Sequence, residues 1–271
     1  MSLLASYGNK SIPSPASIAE SKLDVAYGKD SLQRMDIYLP AGRTTTDTKS
    51  LILIHGGGWN SGDKSNFAAY IDSFKHRLPG YAIFNINYRL VSDGRIFPAQ
   101  ENDIKAAVDF IAAHSSEFQV SKNKLVLLGA SAGAHLALLQ AYKNTEPRIK
   151  AVIDFFGPTD LTEMYNHPWH SMIPHLLKMI TGTTPSANPE LYKKYSPVNF
   201  VTPASPVTMI LQGGVDYMVN PSQSQLLKNK LDEKGVTNKL IIYPNEGHGW
   251  YGKNLTDSFD KIVKFLNDHV E

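Results

Sequence analysis

The sequence contains no cysteine. Disulfides, thiolate metal sites and cysteine nucleophiles are therefore excluded, while every redox compartment stays open. Charge of one sign is not in excess either: 27 basic residues against 25 acidic ones leave a net +2. Those charges are interspersed, with no basic stripe of the kind that neutralises phosphates, so nucleic acid is not an expected partner. Long apolar runs are missing as well, and no segment approaches the length of a membrane span. The opening residues, "MSLLASYGNKSIPSPASIAE", lack a basic n-region and a sustained apolar h-region. Location stays open: cytoplasmic, or periplasmic or secreted if a leader was removed ahead of this numbering. Oligomeric state is open too, a homodimer included.

What is present suits a substantial core. Hydrophobic residues make up 42% of 271 and charged residues 19%, ordinary values for a globular chain that forms one large domain over 1–271. "LDVAYG" and "LQRMDIYLP" read as two short strands, an antiparallel opening followed by the Thr-rich loop "AGRTTTDTKS". From Leu51 onward come short continuous apolar runs, "LILIHG", "YAIFNINY", "KLVLLGAS", "KAVIDFFG", "PVTMILQGG" and "NKLIIYP". Runs without alternation suit strands buried on both faces of a parallel sheet. Between them lie helical patterns. In "PAQENDIKAAVDFIAAH", Ile104, Ala107, Val108 and Ile111 recur at helical spacing, with Pro98 in the first turn. In "NPSQSQLLKNKLDEKG", Asn220 caps, Pro221 opens, Leu227 and Leu231 share a face, and Gly235 stops the helix. The fold class is α/β: a mostly parallel central sheet with helices on both faces. Residues 158–200 break the rhythm, being too long and too rich in aromatics, Pro and His for a plain crossover. They read as an insertion over the top of the sheet, a cap or lid.

The first chemical signal is "HGGGWNSGDKS", residues 55–65. Glycines after a strand expose backbone N–H groups, to a phosphate or to an oxyanion. The phosphate loop G-x-x-x-x-G-K-[ST] fails because Asp63 intrudes between Gly62 and Lys64, and G-x-G-x-x-G fails because position 60 or 61 would have to be glycine. The second signal is "GASAG", residues 129–133, between a buried strand and a helix. There a serine sits on a strained elbow, and larger flanking residues would collide where strand and helix come close. A serine nucleophile needs a histidine base, and the base needs an acid to orient it. Asp216 follows the strand "PVTMILQGG", and His248 follows "KLIIYP" in "NEGHGW". Asp154 and Asp160 are rival acids, placed less well along the strands.

With "HGGGW", "NINYRL", "GASAGAHLAL" and "NEGHGW" in this order, the chain resembles the α/β-hydrolase superfamily. The resemblance lies with HGGG-type carboxylesterases and lipases, the branch of hormone-sensitive-lipase-like, feruloyl and acetyl-xylan esterases and kynurenine formamidase. It runs over nearly the whole chain. It implies a catalytic Ser131, His248 and Asp216 in the order Ser, acid, His, and an oxyanion hole from the N–H groups of Gly57, Gly58 and Ala132. One lost donor there typically costs about 10²–10³ in rate. The implied reaction is two-step hydrolysis of a small-molecule ester through an acyl-enzyme, with no cofactor and no metal.

Other residues carry two readings each. Trp59, Tyr217, Met218 and Trp250 adjoin these loops, either lining a substrate pocket or packing beneath the loops. His135 reads as a buried, satisfied histidine, and His55 as a residue that shapes the glycine loop. His167, His170 and His175 cluster in the insertion without metal-ligand spacing, which favours a surface or lid role. Arg89 and Asp103 are expected to pair. Three functions follow: hydrolysis of small or carbohydrate-linked carboxylic esters, cleavage of an arylformamide or peptide by the same triad, or non-catalytic binding on the same fold.

Overall fold

The apolar runs and the helical patterns alternate along the chain, and the structure, a computed structural model, turns them into one layered assembly. It describes residues 17–91, 95–146 and 149–271; the first sixteen residues of the polar N-terminal arm lie outside the described residues. The strands are β1 (Glu20–Ala26), β2 (Arg34–Leu39), β3 (Lys49–Ile54), β4 (Tyr81–Ile86), β5 (Leu125–Ala130), β6 (Ile149–Phe155), β7 (Val207–Gly213) and β8 (Asn238–Tyr243). The helices are α1 (Ile71–Arg77), α2 (Ala99–Ala113), α3 (Ser115–Phe118), α4 (Ala132–Lys143), α5 (Leu161–Asn166), α6 (Ile173–Thr181), α7 (Pro189–Lys194), α8 (Pro221–Glu233) and α9 (Gly252–His269). All eight strands join one sheet in the order β1-β2-β4-β3-β5-β6-β7-β8. β2 pairs antiparallel with both neighbours, and from β4 to β8 every pairing is parallel.

Side chains of a strand alternate between the faces of its sheet. Ile52 and Ile54 of β3, with Leu125 and Leu127 of β5, enter one apolar layer, closed by α2, α4 and α8. Leu51, Leu53, Val126 and Leu128 enter the other, closed by α1 and α9. Both faces are covered, which is why these strands read as continuous apolar runs. The α8 signals stand as read: the Asn220 side chain accepts the Ser222 N–H, Pro221 is the first helical residue, and Gly235 takes φ +68°. Pro98 sits one residue earlier than read, at the cap position before α2 rather than inside its first turn. β1 starts at Glu20, three residues ahead of the apolar pattern, because it is an edge strand facing water and needs no apolar alternation. Residues 158–200 are more regular than a plain loop: they fold into α5, α6, α7 and a 3-10 turn at Pro197–Phe200 between β6 and β7.

Candidate active site

Because β3, β5, β7 and β8 run parallel, the residues that follow them emerge at one edge of the sheet, where ligands of open α/β sheets bind. Ser131 follows β5 with φ +54° and ψ −120°, a left-handed conformation that costs a non-glycine residue about 1–3 kcal/mol. The neighbours hold it there. A side chain at Gly129 would run into the backbone of Gly133, and one at Gly133 into the Ile54 carbonyl. The Ser131 N–H donates to the Phe155 carbonyl at 2.8 Å.

His248 stands between the serine and a buried carboxylate. With its proton on Nδ1, the imidazole donates to Asp216 Oδ2 at 2.8 Å, and Nε2 accepts from Ser131 Oγ at 2.9 Å. Asp216 is wholly buried, and its other donors are the N–H groups of Met218 (2.8 Å) and Val219 (3.0 Å) and the Gln212 amide (3.1 Å). The two rival acids are occupied elsewhere. Asp160 caps α5 through the N–H groups of Thr162 and Glu163, and Asp154 bonds the Gly157 N–H inside the layer below.

The glycine loop after β3 folds on itself. Gly57 and Gly58 take φ +110° and +57°, and the Gly57 carbonyl accepts the N–H groups of Asn60 and Ser61. Among the described residues the N–H groups of Gly57, Gly58 and Ala132 have no acceptor in the chain; that of Ala132 belongs to the unpaired first turn of α4. His55 shapes this loop. Its ring stacks on Tyr88 at 4.3 Å, Nδ1 bonds the Gly56 carbonyl at 2.8 Å, and burial lowers its pKa. The phosphate alternative finds no support here: Asp63 caps the following 3-10 turn, and Lys64 pairs with Asp24 (2.9 Å) and Asp36 (3.0 Å).

A cavity of about 850 Å³ opens over Ser131, His248 and Gly56–Gly58, walled on the far side by Met164, Met172, Leu176 and Met179 of the 158–200 segment and by Met218. Trp59 and Trp250 resolve toward packing, because their ring N–H groups have partners below the loops. Trp59 is 1% exposed and donates to His135 Nδ1 at 3.2 Å, though it borders the cavity; Trp250 is 5% exposed and donates to Ser258 Oγ at 2.9 Å. Tyr217 is 59% exposed and lies outside that cavity's lining, 6.2 Å from the His170 ring. His135 is buried and satisfied as read, its Nε2–H donating to the Tyr195 carbonyl at 2.7 Å. Arg89 and Asp103 pair as expected, and Asp103 also accepts from Gln33. Among the described residues no three His, Asp or Glu side chains are grouped as metal ligands, and no helix is long and apolar enough to cross a membrane. Sequence reasoning named Met218 but missed Gln212, the Met164, Met172 and Met179 side of the wall, and Phe156, whose ring lies 4.7 Å from that of His248. The "FFGP" turn after β6 was the available signal for Phe156.

A mostly parallel sheet with a serine elbow, a buried acid and a histidine at its carboxyl edge is an α/β-hydrolase fold. The profile of the BD-FAE family matches residues 35–231, and the chain belongs to that family. Similar curated proteins include two from Mycobacterium tuberculosis. LipM, named a probable carboxylic ester hydrolase, is 28% identical over 233 residues, which are 81% of this chain and 53% of LipM. Esterase LipC is 24% identical over 261 residues, 90% of this chain and 64% of LipC. The chain thus spans a little over half to just under two thirds of these relatives. Among solved structures, a truncated carbohydrate esterase from gut microbiota superposes with a TM-score of 0.75 at 26% identity, covering 93% of this chain and 99% of that one. A bifunctional GH43-CE protein of Bacteroides eggerthii gives 0.81 at 26% identity, over 93% of this chain and 35% of that one.

Proposed function

We propose that the protein hydrolyses carboxylic esters of small or carbohydrate-linked acyl groups, with Ser131 as nucleophile, His248 as base and Asp216 as orienting acid. The observation that carries this reading is the unbroken line from Asp216 through His248 to Ser131, at 2.8 and 2.9 Å, opening into the apolar cavity beside the glycine loop. Ser131 Oγ attacks the ester carbonyl as His248 Nε2 takes its proton. The N–H groups of Gly57, Gly58 and Ala132 receive the oxyanion, His248 returns the proton to the departing alcohol, and water then frees the acid by the same route. The chemistry needs no metal and no organic cofactor. The 158–200 segment serves as the cap, its methionines fitting one acyl chain or another by rotamer change. Met218 shares that wall. Relatives and neighbours named as esterases support the ester class.

The test is burst kinetics with p-nitrophenyl acetate and butyrate on the wild type and Ser131→Ala. A stoichiometric burst followed by slower turnover is expected from the wild type, and neither from the variant. A Ser131→Ala protein that turns over at the wild-type rate would sink the assignment.

A further inference from the structure

The end of β6 holds a buried carboxyl for which the proposed reaction has no use. Asp154 is wholly buried; Oδ1 accepts the Gly157 N–H at 2.7 Å and Oδ2 has no partner among the described residues. Spanned by that bond is Phe156 with φ +46°, a conformation in which a bulky L-residue is strained. Only glycine fits at 157, where a Cβ would lie 2.7 Å from both Ala134 Cβ and Asp154 Oδ1. The turn touches two members of the site. The Phe155 carbonyl receives the Ser131 N–H at 2.8 Å, and the Phe156 ring lies 4.7 Å from the His248 ring and 5.5 Å from Trp250. Phe156 also borders both the catalytic cavity and a second, aromatic-lined one of about 230 Å³, which likewise reaches His248.

We infer that Asp154 is a positioning residue for the serine and histidine: its bond to Gly157 locks the 154–157 turn in the strained form that backs the His248 ring and fixes the Ser131 amide. The inference rests on the catalytic reading of Ser131 and His248. Without the bond, Phe156 relaxes toward negative φ, its ring withdraws, and the imidazole gains room to swing out of line with Ser131 Oγ. A displacement of about 1 Å in a reacting group can cost 10²-fold in rate. The role asks for an acceptor at the Oδ1 position and not for a charge, so asparagine can fill it.

The experiment compares wild type, Asp154→Asn and Asp154→Ala with p-nitrophenyl acetate, turnover being divided by burst amplitude so that misfolded molecules drop out. Asp154→Asn is expected within threefold of wild-type kcat. Asp154→Ala is expected to lose tenfold or more in kcat, with KM within twofold. A wild-type kcat per competent site in Asp154→Ala overturns the inference, and so does an Asp154→Asn protein as slow as Asp154→Ala. The ¹⁵N and ¹H resonances of the His248 imidazole supply a readout that needs no substrate. They are expected to match wild type in Asp154→Asn and to shift or broaden in Asp154→Ala; unchanged resonances in Asp154→Ala would overturn the inference. A wild type that neither bursts with nor turns over p-nitrophenyl acetate would instead count against the esterase reading, and the imidazole resonances would still decide for or against Asp154.

Discussion

Asp154 and His135 are buried titratable groups that pull stability in opposite directions with pH. Burial pushes the Asp154 carboxyl up to about 7, against the contrary pull of the Gly157 N–H. Its unfolded value is near 3.8, so the folded state binds the extra proton between those values. That contribution is complete below about pH 4 and is lost as pH rises to about 7. His135 is the reverse: burial pushes it down to about 3 from 6.5, the unfolded chain takes up the proton first, and stability is lost as pH falls through that window. The two partly cancel in any whole-protein profile, and a variant separates them. Asp154→Asn is expected to gain melting temperature over wild type progressively from pH 4 to pH 7 and to hold a constant lead above pH 8. A shift of about three pKa units corresponds to an effect on the order of a few kcal/mol. Thermal unfolding of both proteins across pH checks it, and a pH-independent difference would refute it. That Asp216, rather than Asp154 or Asp160, is the carboxylate bonded to His248 could be read from strand position alone. The protonation of Asp154 could not be read that way, since it arises from Gly129 and Ile210 flanking it in the sheet and helix α4 packed on its turn.

Helix α6 sets one wall of the cavity, with Leu176 and Met179 facing it and Leu177 and Ile180 buried in the adjoining apolar layer. Residues three and four apart share a helix face, so one short helix can serve core and cavity together. Butyrate exceeds acetate by two methylenes, worth about 1.6 kcal/mol or roughly 15-fold when both are buried. Met179→Trp fills the wall, and the ratio of kcat/KM for p-nitrophenyl butyrate over acetate is expected to fall by tenfold or more. An unchanged ratio would mean that the acyl chain lies elsewhere. Elements with strong punctuation were legible, α8 above all, with cap, proline and terminal glycine in place. The elbow was legible for the same reason, because close packing dictates its glycines. The helices of the 158–200 segment were not. They are six to nine residues long, too short for periodicity to outweigh their prolines, and they form by packing on the sheet's carboxyl edge.

The sheet divides the molecule into two apolar layers, and each contains one buried tryptophan, Trp59 in one and Trp250 in the other, while Trp169 is exposed. Every central strand sends alternate side chains into both layers, so neither layer can come apart while the other stays intact. Variants retaining only Trp59 or only Trp250 are expected to show fluorescence transitions in urea that overlay the far-UV circular dichroism of the same protein. Separate transitions would mean that one layer melts alone. The sheet itself was legible because burial on both faces leaves uninterrupted apolar runs. Where the tryptophans lodge was not, since that depends on partners as distant as His135 and Ser258. The His135 ring, receiving Trp59 on one nitrogen and donating to the Tyr195 carbonyl from the other, ties the glycine loop to the chain just after α7. For protein engineering this is a compatibility rule. A graft replacing residues 158–200 with a relative's segment must deliver a carbonyl to that same point, or the glycine loop inherits a ring with a dry, unanswered N–H beneath it.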